Sequence, residues 1–187
     1  MNKTKSLIFH ISYSAVLSAL VFVTTFFVHI TYPNGAGYFN IGDAIIIFSS
    51  IFFGPIEGVF AGVFGSLLAD LASGYVQFIP FTIVAKGLEA VVCFTLFYIL
   101  RKTKYIKFIS MFISPLFMVL IYFVSYYLLF GIEYAFVSSP YDILQGELGG
   151  IFALILYISF NKLHLPYRIN FDVKKRQENT VSNQKPL

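Results

Sequence analysis

The sequence predicts an all-α integral membrane protein: a six-transmembrane-helix bundle in one domain, residues 1–165, followed by a polar basic tail at 166–187. Three observations carry this expectation. Hydrophobic residues make up 58% and charged residues only 12% of the 187, about half the charge of an ordinary soluble chain, and mean hydropathy is +0.79. Of the 13 Lys and Arg residues, all but Lys86 fall in three hydrophilic segments. These are the N-terminus (Lys3, Lys5), a connector (Arg101, Lys102, Lys104, Lys107) and the tail from Lys162 onward. Finally, the apolar stretches between them break at Gly, Pro and Asn clusters into lengths near the roughly 20 residues a membrane helix needs. Segments rich in Lys and Arg stay inside, so both termini and the connector are expected on the cytoplasmic face.

Helix 1 is expected over Leu7–Ile30, too long for a signal-peptide core and without a clean small-residue cleavage site after it. Thr31–Asn40, with Pro33, Asn34, Gly35 and Gly37, reads as an uncharged outer turn. Helix 2 runs over Ile41–Phe53, Gly54-Pro55 makes a tight cytoplasmic turn, and helix 3 covers Ile56–Ala72. A kink at Gly54-Pro55 would instead give one helix of about 48 Å against a hydrocarbon core of roughly 30 Å. It would also carry the basic connector outside. Ser73–Pro80 is the next outer loop, and helix 4 spans Phe81–Leu100. Helix 5 spans Phe108–Phe130, Gly131–Tyr141 lies outside, and helix 6 spans Asp142–Phe160. The tail beyond Lys174 has a disordered composition.

Several chemistries are excluded by the residues present. The one cysteine, Cys93, can form no intrachain disulfide, and His10, His29 and His164 fall at different depths, which disfavours a metal site. There is no His-Glu-x-x-His, no Gly-x-Ser-x-Gly and no phosphate-cradling Gly-x-x-x-x-Gly-Lys. No enzymatic activity, cofactor or metal is therefore expected, and active transport would have to draw on a partner or an ion gradient. The basic charges line one membrane face, which suits anionic lipid or a cytoplasmic partner and not nucleic acid.

Ionisable groups at membrane depth tend to face a cavity or pair with one another. The expected topology gathers Asp43, Asp70, Lys86, Glu89, Asp142, Gln145 and Glu147 toward the outer face. Lys86 and Glu89 are three apart and share a helix face. Two overlapping readings stay open: a buried ion pair of Lys86 with Glu89 or Asp70, and a donor from Lys86 to a bound solute. Tyr38, Tyr75, Phe78, Tyr122 and Tyr126 lie at the same end, where they serve as an interfacial belt or as apolar walls for a small heteroaromatic molecule. Small residues recur at spacing four, as Ala15 and Ala19 on helix 1 and as Gly54, Gly58 and Gly62 on helix 3, a pattern that permits close helix approach.

The ordered set Asn40-Ile-Gly-Asp43, Phe53-Gly-Pro55, Gly58, Gly62, Gly65-Ser66, Ala69-Asp70, Gly74-Tyr75, Pro80-x-Thr82 and Lys86-Gly87 resembles the substrate-binding S components of energy-coupling factor (ECF) vitamin transporters. It is most similar to the riboflavin-type superfamily branch that includes hydroxymethylpyrimidine and pyridoxine-type uptake proteins. The likeness covers helices 1 to 4; helices 5 and 6 match in length and hydrophobicity alone. It implies a multi-pass protein of the bacterial plasma membrane that binds a vitamin or precursor, with a B6 vitamer or hydroxymethylpyrimidine favoured and riboflavin next. It also implies partners, namely a transmembrane scaffold subunit and two cytoplasmic ATPases, and delivery by toppling of the whole subunit. The Thr31–Asn40 loop is similar to the family's lid, and Ala15 and Ala19 match its scaffold-docking strip.

The expected substrate-binding residues are Asn40, Asp43, Asp70, Tyr75 and Gln77 on the first half of the chain. Lys86, Glu89, Gln145 and Glu147 complete the set. Two rivals belong to other classes. One is a free-standing secondary transporter or channel driven by an ion gradient, disfavoured because the inner halves of the helices carry almost no charge besides Glu57 and no inverted repeat is evident. The other is a scaffold or assembly protein without a ligand, in which Lys86 is merely paired.

Overall fold

In a computed structural model, residues 3–32 and 38–162 are described; the proposed tail at 166–187, His164 and the tip of the Thr31–Asn40 turn lie outside them. The described residues form six α-helices: α1 Lys3–Phe27, α2 Gly42–Phe52, α3 Pro55–Ser73, α4 Ile79–Ile99, α5 Ser110–Phe130 and α6 Ile132–Asn161. Two short strands, β1 His29–Thr31 and β2 Tyr38–Asn40, pair antiparallel with Ile30 opposite Phe39. Five helices are long and apolar enough to cross a membrane, and α2 is the short exception. The surface is apolar, as a lipid solvent demands, and polar groups are buried beside an apolar core: Phe27, Ile30, Ile99 and Phe136 are exposed while Asp43, Glu89, Ser49, Ser50 and Ser114 are buried.

Contacts define the two ends of the bundle. At one end the hairpin meets the end of α1, the start of α2, the end of α3, the start of α4, the end of α5 and the first half of α6 around a common cavity. At the other, Phe97 at the end of α4 packs on Phe108 in the connector and on Tyr157 late in α6, while Phe48 meets Phe160. The basic connector, two short 3-10 turns at Leu100–Lys102 and Ile106–Ile109, sits at this second end.

Helix α2 is the centre of the molecule, packed against α1, α3, α4 and α6. Nearly every residue from Gly42 to Phe52 is buried, as expected of a helix apolar all round. Its 11 residues rise only about 17 Å at 1.5 Å each, half of a hydrocarbon core of roughly 30 Å. The hairpin occupies the space above it. Irregular backbone is tolerated at such depth only when buried in protein or lining a cavity; here Tyr38 and Asn40 of the hairpin line the cavity.

The Gly54-Pro55 turn forms as the sequence predicts. Gly54 adopts φ 131°, a region hostile to side chains, and Pro55 opens α3 at the position where its missing N–H costs nothing. Several boundaries differ from expectation: helix 1 begins at Lys3 instead of Leu7 and helix 5 at Ser110 instead of Phe108, while helices 2 and 3 shift by one residue at each end. Helix 1 ends at Phe27 instead of Ile30, because His29 and Ile30 enter the hairpin; the fold is thus helical with a small two-stranded sheet. Helix 4 begins at Ile79, directly after a 3-10 turn over Val76–Phe78. The largest correction is α6, which starts at Ile132 and runs 30 residues without the expected outer loop. Gly131 is the real break, with φ 95°, and Pro140 lies within the helix, where it forfeits one backbone hydrogen bond. What holds the extra turns is a buried stripe at helical spacing: Ala135, Ser138, Asp142, Gln145, Gly149, Ala153 and Tyr157.

Small residues set the helix contacts that position the site. A side chain added at Gly58 would strike Ser50 of α2, and one at Gly65 would meet the Ser18 carbonyl of α1 at 2.7 Å. Gly149 admits α2 to α6, since a Cβ there would lie 2.9 Å from Asp43 Cβ.

Candidate functional site

The cavity at the hairpin end is built on α2. Asn40 closes β2, and its Oδ1 accepts the Gly42 N–H at 2.8 Å, a side-chain turn that starts the helix. One turn in, Asp43 sits where the positive end of the helix dipole favours a carboxylate. Its Oδ1 accepts from Lys86 Nζ and its Oδ2 accepts from Gln145 Nε2 at 2.8 Å. Gln145 Oε1 in turn accepts the Asn40 N–H at 3.0 Å and Asn40 Nδ2–H at 3.2 Å. A single amide thereby joins α6, α2 and the hairpin.

Lys86 is 2% exposed and its ammonium is engaged on all sides. Besides Asp43 it donates to Met118 Sδ at 2.7 Å and lies 3.6 Å from Glu89 Oε2. Its ion pairs therefore run to Asp43 first and Glu89 second, and not to Asp70 as one expectation had it. Asp70 is held instead by hydroxyls: Tyr38 donates to Oδ1 at 2.7 Å and Thr82 to Oδ2 at 2.5 Å, with Tyr122 donating to Thr82 at 3.1 Å. A third carboxylate, Asp142, takes Tyr32 at 2.7 Å and Tyr126 at 3.4 Å, both on Oδ1.

The two hairpin tyrosines thus fasten the hairpin to α6 and α3. Burial, and next to it the Asp142 carboxylate, pushes the Tyr32 phenol far above its ordinary range; burial and Asp70 do the same to Tyr38. Both stay protonated and keep donating. Aromatic rings complete the walls, with Tyr32 stacked on Tyr141 at 4.8 Å and Phe78 edge-on to Tyr126 at 5.6 Å.

The cavity is lined by Asn40, Asp70, Tyr75, Lys86 and Gln145 from the expected set, joined by Thr25, Tyr38, Ser66, Thr82, Tyr122, Tyr126 and Asp142. Asp43 and Glu89 lie beneath the lining, as partners of Lys86. Gln77 is exposed in the 3-10 turn and Glu147 half-buried on α6, neither on the cavity wall. Asp142 and Thr82 are the additions with chemistry. Asp142 stands three residues before Gln145, the i, i+3 spacing that puts both on one face. The space between the walls is about 410 Å³, open solvent included, yet only about 30 Å³ admits the centre of a water-sized sphere. A larger groove, about 850 Å³ on the same open-solvent measure, lies between α1 and α3 at the other end; Leu7, Ile11, Ala15, Ile56, Phe60 and Phe64 make its surface mostly apolar, with His10, Ser14 and Ser18 the polar members. Converging polar groups mark the smaller cavity as the site. Ala15 and Ala19 are exposed on α1, Ala15 on the wall of the larger groove. Among the described residues no cluster of His, Cys, Asp and Glu is arranged to hold a metal ion.

Five or six apolar helices around a polar cavity at one end define a multi-pass membrane protein. The family model of the ECF-type riboflavin transporter S component matches residues 5–162, and the chain belongs to that family of transporter subunits, located in the cell membrane. A protein of Pyrococcus woesei described as "Uncharacterized protein in gap 3'region" is 47% identical over 72 residues, which cover 38% of this chain and 48% of that relative. The chain spans about half the length of this curated relative.

Proposed function

We propose that this chain is the substrate-binding subunit of an ECF-type vitamin uptake transporter, taking a small heteroaromatic vitamin or precursor into the cavity under the hairpin. One observation carries the reading: Lys86, Asp70, Asp142, Asn40 and Gln145 converge on one enclosed, tyrosine-walled space at a single end of the bundle. Family membership supports it. A B6 vitamer or hydroxymethylpyrimidine suits the combination of carboxylates, amide and tyrosines. The basic connector at the opposite end argues, through the positive-inside rule, that six passes leave both termini cytoplasmic and the cavity facing out.

The cavity as it stands is narrow: about 30 Å³ of it admits the centre of a water-sized sphere, room for water but not for a ring. Admission of a ring therefore requires the hairpin to lift, breaking the Tyr32–Asp142 and Tyr38–Asp70 hydrogen bonds. Delivery inward then falls to a scaffold subunit and two ATPases, against which the exposed Ala15 and Ala19 strip packs. Toppling of the whole subunit suits a site whose floor, Lys86–Asp43–Gln145, is sealed from the other end by the aromatic core around Phe48, Phe52 and Phe97.

Mass spectrometry of the small molecule that copurifies with the protein, followed by calorimetry with that molecule, tests the reading. One vitamin-class ligand per chain is expected. A folded protein that binds no vitamin or precursor, or proteoliposomes of this chain alone that show gradient-driven uptake, would overturn it.

A further inference from the structure

The charges around the cavity are unequal. One ammonium, Lys86, is surrounded by four carboxyl groups: Asp43, Glu89, Asp70 and Asp142. The ammonium is already committed to Asp43, Met118 and Glu89, so it has little left to offer a ligand. Both Asp70 oxygens are occupied by hydroxyl donors. Asp142 differs. Its Oδ1 receives two tyrosine hydroxyls, while its Oδ2 accepts no hydrogen bond among the described residues, although Asp142 is only 3% exposed and lines the cavity.

A buried acceptor without a donor is expensive, and carboxyl groups that outnumber the one ammonium, itself already paired, leave a second anion without a counter-charge in the cavity. We propose that Asp142 is the specificity-determining residue of this cavity, accepting an N–H donor from an amino-substituted nitrogen heteroaromatic substrate that is neutral or cationic. Ligands carrying a carboxylate or a phosphate are rejected. This assignment rests on the solute-binding reading above and narrows it to one substrate class.

The test uses the purified full chain in detergent and ligand pairs that differ at the donor. One pair is pyridoxamine and pyridoxine, with 4-pyridoxic acid as the carboxylate probe. The other is 4-amino-5-hydroxymethyl-2-methylpyrimidine and the same ring with methyl in place of the amine. In the wild type, the amine of at least one pair should bind roughly tenfold or more tighter than its partner, the range of a charge-assisted hydrogen bond, and the acid should give no thermal shift. In Asp142→Asn, whose carbonyl oxygen still accepts from the tyrosines, that preference should fall to about twofold or less.

Equal binding of both members of each pair, tightest binding of the acid or of an amine-free flavin, or an amine preference that survives in Asp142→Asn would each refute the assignment while leaving the solute-binding reading intact. Failure of the folded wild type to bind any of these ligands or a flavin would instead remove the reading beneath it. Should Asp142→Asn not fold, the wild-type ligand pairs still decide.

Discussion

Gln145 on α6 donates to Asp43 on α2 at 2.8 Å while its carbonyl oxygen holds the backbone of Asn40 at 3.0 Å. This amide ties the floor of the cavity to the hairpin that covers it. Gln145→Leu removes both contacts and leaves a buried carboxylate oxygen and a buried N–H without partners. Each such loss costs about 1–3 kcal/mol, so thermal unfolding in detergent should show a clear fall in midpoint. An unchanged midpoint would mean that these groups find other partners.

Lys86 is the cation on which the floor depends. Lys86→Met leaves Asp43 and Glu89 facing each other in the bundle, a loss of about 3–5 kcal/mol when one partner of a buried pair is removed. Adding Asp43→Asn should recover part of the folded yield. A double mutant worse than the sum of the two single changes would contradict the pairing.

Alkaline pH should loosen the hairpin's contribution to stability. Tyr32 and Tyr38 have phenols raised on folding above their ordinary value of 10.0, so their contribution is complete below about pH 10 and is lost as pH rises beyond it, when the unfolded chain ionises first. Each adds a slope of about 1.4 kcal/mol per pH unit. The stability of Tyr32→Phe/Tyr38→Phe should fall less steeply than that of the wild type between about pH 10 and 12. Parallel curves would show that neither phenol is specially held.

The docking strip gives a separation of properties. Ala15 and Ala19 face outward, so Ala15→Leu/Ala19→Leu should leave solute binding by the isolated subunit unchanged and abolish copurification with scaffold and ATPases. Loss of solute binding, or overpacking of the kind that costs about 1–3 kcal/mol in a core, would place the strip inside the bundle instead.

Much of this was legible in the residues. Gly54-Pro55 announces its turn because glycine and proline each have one conformational reason to stand there, and the lone Lys86 marks the site because an intramembrane cation needs company. Its main partner was not legible: Asp43 is 43 residues away, and the pairing exists because short α2 lies at the centre of the bundle. The hairpin was hidden by Val28, His29 and Ile30, which continue the apolar run of helix 1, although β-branched and aromatic residues flanking Pro-Asn-Gly are also a hairpin pattern. The extension of α6 was concealed by Pro140, which reads as a breaker, while the buried stripe from Ala135 to Tyr157 was present all along at the right spacing. Asp142 fell out of the candidate set because its role depends on Tyr32, 110 residues earlier.

Since α2 stops half way and the hairpin completes the barrier, the roof of the cavity and its floor are separate pieces of chain. The helices carry the bundle's packing and the charged floor; the roof is fastened by side-chain hydrogen bonds from Tyr32, Tyr38 and the Gln145–Asn40 pair. Chimaeras exchanging residues 29–40 between relatives are therefore expected to carry ligand exchange rates with the hairpin while the ligand preference assigned to Asp142 stays with α6.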